Sequence, residues 1–222
     1  MKERPIIFNA EQVRAVLDGR KTQHRIPLNW RRTRAQEIAE RDDGSQWPWS
    51  EDCEKGGDYW WDCPFGEAGS KLWVRESYRM PESLDRYSPK QVADLAIESG
   101  YRKPWAPIQL EADGVRTGKW IGFNTPPMVT EPGKLRPSIH MPRWASRITL
   151  EITGVRVERL HEITIGDICK EGLAKSMYEF RPVTQAFPSF EGYWESIHGT
   201  ESWKSNPWVW VIEFKRVENT ND

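Results

Sequence analysis

The sequence predicts an α+β fold, a small curled β-barrel with flanking helices and long Trp- and Pro-rich insertions, and three observations predict it. Capped amphipathic helices are signalled at three places. One long strand changes its hydrophobic phase midway, as a strand that curls must. Between these elements run irregular stretches dense in tryptophan and proline, of which the chain has 13 and 16 among 222 residues. Aromatic side chains pinning ordered loops are the expected source of much of the burial.

The first helix follows Asn9, which suits an N-cap, with Gln12 three residues on as in a capping box and Phe8 and Val13 as a hydrophobic staple. Val13, Val16 and Leu17 form its apolar stripe, and Gly19 supplies the left-handed residue that ends it. The strand opened by Gly69 puts Leu72, Val74 and Glu76 on one face and Lys71, Trp73 and Arg75 on the other. Glu76 either lies at the strand end and reaches water or is a buried, paired acid. Residues 80–142 hold nine prolines and one short helical stretch near Val92 to Ile97. In the strongest strand pattern Ile148, Leu150 and Ile152 alternate, then Val155 and Val157 continue out of phase, with a bulge or bend expected at Gly154. Thr164 and Asp167 form a second capping box, Ile163 and Ile168 a staple, and Gly172 the stop, so Glu171 takes the last helical position. An acid there faces the negative end of the helix dipole, at a cost of up to about 1 kcal/mol unless a cation or a function compensates. A third helix carries Phe190, Tyr193, Trp194 and Ile197 on one face and ends at Gly199. A final strand has Trp208, Trp210, Ile212 and Phe214 on one face.

Length and composition suit one domain over residues 1–222, with insertions at about 29–65 and 80–137. No apolar run approaches the roughly 20 residues of a membrane span and no signal peptide opens the chain, so a cytoplasmic protein without membrane partners is expected. Cys53, Cys63 and Cys169 fit reduced thiols. The Cys53/Cys63 spacing is too wide for a zinc knuckle, so neither metal nor cofactor is expected. The net charge of −1 is uninformative, but its distribution is not. Six basic residues and no acid lie in 20–34, followed by eight acids against Lys55 in 42–67. Such blocks favour mutually complementary solvated faces over a binding surface; even so, Arg20, Arg25 and their neighbours around Trp30 suit a phosphate backbone and a stacked base.

Gly19-Arg20-Lys21-Thr22-Gln23-His24-Arg25 concentrates proton-handling side chains directly behind a helix. Together with the Gly-x-x-Leu-x-Val-x-Glu strand, the curled central strand, the helix ending Glu171-Gly172 and the closing Trp-Val-x-x-Phe strand, it resembles the ASCH domain, a PUA-like small barrel with flanking helices. Arg75, the segment 141–147 and Asn206-Pro207-Trp208 are similar to the larger phage and prophage ASCH-type proteins. The resemblance covers residues 5–27, 66–79 and 138–217. It implies binding of RNA, DNA or a modified nucleoside. More distantly, the chain resembles small bacterial amidohydrolases that remove the acetyl group from N4-acetylcytidine with a lysine, a threonine three residues later and a glutamate. Lys21 matches the lysine and Glu171 the glutamate; the threonine position is His24.

Read as chemistry, Lys21 and Glu171 form either a proton-shuttling pair or a structural salt bridge between two helix ends. Thr22 as nucleophile and His24 as general base on water are both open; in an extended segment they face away from Lys21. Arg143, Trp144 and Arg147 can hold a base or phosphate, with packing favoured for Trp144 and ligand contact for an arginine; Arg75 and Glu76 complete the candidate set. No Gly-rich phosphate loop, nucleophile elbow or metal-binding histidine pair is present. The expected function is recognition of a nucleic acid or modified nucleobase at Lys21/Glu171 with hydrolysis of an N4-acylcytidine-type amide. The alternatives are a non-catalytic RNA- or DNA-binding module, a ribonuclease, and a protein-interaction factor docking through the insertions.

Overall fold

The computed structural model describes residues 3–51, 56–114, 120 and 131–217. Cys53, and parts of both expected insertions, lie outside the described residues. In chain order the elements are β1 (Arg4–Ile7), α1 (Ala10–Leu17), β2 (Gln23–Pro27), α2 (Trp30–Thr33), β3 (Glu37–Glu40), β4 (Gln46–Glu51), β5 (Asp58–Trp60) and β6 (Lys71–Arg75). They continue with β7 (Tyr78–Arg79), α3 (Pro89–Glu98), β8 (Gln109–Leu110), β9 (Thr149–Arg159), α4 (Ile165–Lys170), α5 (Ala186–His198) and β10 (Trp208–Val217), joined in places by short 3₁₀ turns. The protein is α+β. Its largest sheet has the order β1-β6-β9-β10-β2, beside a β3-β4-β5 meander and a β7-β8 pair. No sheet is closed into a barrel by the pairings among the described residues. Nor is any described helix long and apolar enough to cross a membrane.

The chain forms two compact units. One holds Glu3–Leu17 and Leu72–Leu150. Here α1 starts as its sequence requires: the Asn9 amide donates to Gln12 Oε1 at 2.9 Å and the Gln12 amide to Asn9 Oδ1 at 2.8 Å, over a fully buried Phe8 and Val13. β1 pairs parallel to β6, Arg4 with Leu72 through Ile7 with Arg75. The core of this unit gathers Tyr78, Met80, Val92, Ile108, Leu110 and Met141, with Trp144 packed against it. α3 carries its own capping box between Ser88 and Gln91.

The other unit holds Asp18–Lys71 and Glu151–Arg216. β10 pairs antiparallel to β2, with Ile212 opposite His24 and Glu213 opposite Gln23. Its core joins Leu160, Ile163 and Ile168 to Phe190, Trp194, Val209 and Val211. α4 has the expected Thr164–Asp167 capping box, and Gly172, at φ +95°, ends the turn after it. Ile152 and Val157 are both buried although five residues apart, which fits the change of phase around Gly154. One expectation fails. Ile197 is 40% exposed: the last turn of α5 leaves the core, and only Phe190 and Trp194 of the proposed stripe are fully covered.

Candidate functional site

The Gly19–Thr22 segment is the cap of α4. The Thr22 amide donates to the Lys170 carbonyl at 2.9 Å, Lys21 Nζ to the Glu171 carbonyl at 3.0 Å, and Arg20 Nη1 to the Gly172 carbonyl. Three carbonyls that a helix end leaves without partners are thereby satisfied by three consecutive residues. The turn at Gly19 aims them, since its φ of +73° is one a side chain would strain.

Lys21 does more than cap. Its ammonium also donates to Glu171 Oε2 at 2.7 Å and to the Gln23 carbonyl at 2.8 Å, so all three N–H bonds are used. The Lys21 and Glu171 side chains are 0% and 2% exposed, and the pair is a buried ion pair. The unfavourable position of Glu171 at the negative helix end is therefore compensated by a cation that binds both its carboxylate and its carbonyl. Arg25 enters the same cluster. Its guanidinium sits 2.6 Å from Glu158 Oε1, 3.3 Å from Glu171 Oε1 and 3.5 Å from Asp167 Oδ2, and donates to Gln23 Oε1 at 3.2 Å.

His24 Nδ1 lies 3.7 Å from Glu171 Oε2, with the side chain 11% exposed. Lys21, His24 and Glu171 thus converge even though Lys21 and His24 come from opposite sides of the extended segment, because Lys21 precedes β2 in irregular backbone. Burial, followed by the charge of Lys21, pushes the His24 imidazole down to about 4, so it is uncharged at neutral pH. Burial alone would raise the Glu171 carboxyl, but Lys21, His24 and Arg25 together outweigh it and hold the acid at about 2. Burial lowers Lys21 in spite of Glu171. Glu171 is a fixed anion.

Several expectations change in this setting. Arg25, expected to face a phosphate backbone, is 1% exposed and belongs to the internal ion-pair network. Thr22 is exposed and lines a surface depression of about 390 Å³ with Arg20, Lys170 and Lys175. The Cys169 thiol lines it too, raised by burial and by Glu179, so it is protonated rather than nucleophilic. Trp30 is 41% exposed, beside exposed Arg31, Arg32 and Arg34.

The remaining predicted residues lie in the other unit. Glu76 is the buried, paired acid: both its oxygens accept from Arg147, at 3.0 and 3.1 Å, and Arg147 Nη1 also donates to Asp113 at 3.0 Å. Arg143 donates to Glu3 at 2.6 Å and to Thr149 Oγ1 at 3.1 Å. The Arg75 guanidinium lies 4.6 Å over Trp73 and donates to the Ile139 carbonyl. Trp144 packs on the core. These arginines are engaged with protein groups.

Sequence reasoning missed Glu158, Asp167 and His198. Glu158 and Asp167 hold Arg25. The His198 ring lies tilted against Trp194, centroids 4.1 Å apart; its pKa is lowered by burial while the Glu171 charge opposes that. Their partners lie far off in sequence, so local patterning carries no sign of these contacts. Among the described residues no cluster of histidine, cysteine and carboxylate side chains is arranged to hold a metal. Comparison with protein-family models, curated proteins and solved structures gives no match to this chain.

Proposed function

We propose that this chain is an ASCH-type protein that recognises a modified nucleobase over the Lys21–His24–Glu171 centre and hydrolyses an N4-acylcytidine-type amide. On this reading the large sheet is the counterpart of a PUA-like barrel carrying insertions at about 29–65 and 80–137. One observation carries the proposal: at the positions singled out by the resemblance, Lys21 and His24 lie 2.7 and 3.7 Å from the same oxygen of Glu171. Of the three, His24 is the most exposed, so it is the group that meets a substrate, and Lys21 and Glu171 position it. The imidazole, uncharged at neutral pH with the Glu171 carboxylate 3.7 Å from Nδ1, takes a proton from water at Nε2 in this reading. The hydroxide adds to the acyl carbon, the C–N4 bond breaks, and the imidazolium, steadied by Glu171, returns the proton to N4. The acyl group leaves as a carboxylic acid and the nucleoside as cytidine.

The test is hydrolysis of N4-acetylcytidine followed by chromatography, with His24→Asn, Glu171→Gln and Lys21→Met, each checked by circular dichroism. Turnover in the parent protein and a loss of roughly 100-fold or more in His24→Asn is expected. The rate should hold through neutral pH and fall only as His24 is protonated, around 4. No turnover by folded protein removes the hydrolase reading.

A second reading, binding without catalysis, draws on the saturated ammonium of Lys21 and on exposed Trp30 beside Arg31 and Arg32. Salt-dependent binding of single-stranded RNA, weakened by Trp30→Ala, with no hydrolysis, would establish it.

A further inference from the structure

The geometry points to a phosphate-binding subsite in the depression of about 390 Å³ beside the buried ion pair, so that the ligand is a nucleotide, free or within a polynucleotide, rather than a nucleoside. The inference rests on the proposed nucleobase reading for the ligand's base, while the phosphate site stands on its own residues. The lining brings Arg20, Lys170 and Lys175 together with Asp18, three cations against one anion, and adds the Thr22 hydroxyl and the Cys169 thiol.

The cations there are partly paired and unequally held. Asp18, itself on the lining, pairs with Arg20 at 3.1 Å and is 56% exposed. Arg20 is fixed by Gly172 and Asp18, which holds its planar fork in one orientation at the wall. Lys170 is 53% exposed and stands 4.0 Å from both Asp167 and Glu213, at the limit of an ion pair. Lys175 is exposed, and what tethers it is its amide, which donates to Glu179 Oε2, leaving the ammonium on its flexible stem. A fixed guanidinium, two extensible ammonium groups and a hydroxyl make an arrangement suited to the three oxygens of a phosphate.

Position ties the depression to the centre. Arg20 and Thr22 flank Lys21, and Lys170 precedes Glu171, so two of the three capping contacts, those of Arg20 and Thr22, also place a wall of the depression. The depression, open to solvent and about 390 Å³, has space for a sugar beside a phosphate.

The experiment is isothermal titration of the full chain with cytidine, cytidine 5′-monophosphate and pyrophosphate, in the parent protein and in the Lys170→Ala/Lys175→Ala double variant, at low and high potassium chloride. Both lysines are exposed, and circular dichroism checks that the variant is folded. The monophosphate should bind at least roughly tenfold more tightly than cytidine. The variant should erase that preference together with pyrophosphate binding, and salt should weaken what remains. A short RNA bound equally with and without a 5′-phosphate, and lost in the variant, assigns the site to an internal phosphodiester. Pyrophosphate bound and then lost in the variant, with neither cytidine compound bound, keeps the phosphate site and removes the nucleobase reading. Equal affinity for cytidine and its monophosphate, a preference that survives in the variant, or no binding of any probe overturns the inference.

Discussion

Lys21 holds Glu171 twice, donating to its carboxylate at 2.7 Å and to its backbone carbonyl at 3.0 Å, so one ammonium closes an ion pair and caps a helix at once. Removing either partner strands the other charge in the interior. Glu171→Gln, which leaves Lys21 and Arg25 facing a neutral amide, should lower stability by about 3–5 kcal/mol in urea unfolding. Lys21→Met/Glu171→Leu should lose less than either single change, because an apolar pair has no charge to desolvate. Single variants within about 0.5 kcal/mol of the parent, as at ordinary surface sites, would show that the pair is solvated and the argument wrong.

Stability should fall with acid in two windows. Unfolded His24 takes a proton below its ordinary 6.5, whereas the folded imidazole does so only near 4, so folding is disfavoured progressively as pH falls from 6.5 to 4. Unfolded Glu171 is protonated below 4.5 and the folded carboxylate only near 2, so its contribution is present above 4.5 and disappears from there downward. Each effect is on the order of 3 kcal/mol at full extent. Urea midpoints taken from pH 7 to 3 should slope throughout. His24→Gln should flatten the upper window and keep most of the lower one.

The elements at the centre were legible where local chemistry decides them. The Asn9–Gln12 and Thr164–Asp167 boxes, the stops at Gly19 and Gly172 and the Glu171 helix end are short-range patterns with one physical solution each. The buried state of Glu76 was only half readable, because its partner Arg147 is 71 residues away. Arg25 was misread as a surface cation, since the acids that draw it inward, Glu158 and Asp167, come from β9 and α4. Long-range charge pairing leaves little mark on periodicity. It has to be seen in three dimensions.

Arg25 gives a sharper test of that network than a simple deletion. Its guanidinium reaches Glu158 through two nitrogens, at 2.6 and 3.2 Å, while a third reaches Glu171 at 3.3 Å and Gln23. Lysine keeps the charge but has one compact donor group. Arg25→Lys should therefore cost about 1.5–3 kcal/mol, the value of lost hydrogen bonds to charged groups. Arg25→Met should cost about 3–5 kcal/mol by leaving carboxylates unpaired. Thermal unfolding of both variants checks the order, and equal losses would mean that only charge matters.

Glu76 and Arg147 should respond unequally to substitution. Burial raises the Glu76 carboxyl although Arg147 pulls it down, so the charged acid is held against its own desolvation. The folded carboxyl keeps its proton to a higher pH than the unfolded 4.5; its favourable contribution is complete below 4.5 and is lost as pH rises through the folded value. Glu76→Gln retains an acceptor for Arg147 and removes the buried charge, so a loss below about 1.5 kcal/mol is expected, with the pH slope from this site abolished. Arg147→Ala instead abandons a 2% exposed carboxylate, and about 3–5 kcal/mol should go, most of it near neutral pH. Denaturant unfolding at pH 4 and pH 7 separates the two. The Arg147→Ala deficit should shrink at pH 4, where Glu76 can be protonated, and a deficit equal at both values would mean that the arginine acts by packing rather than by charge.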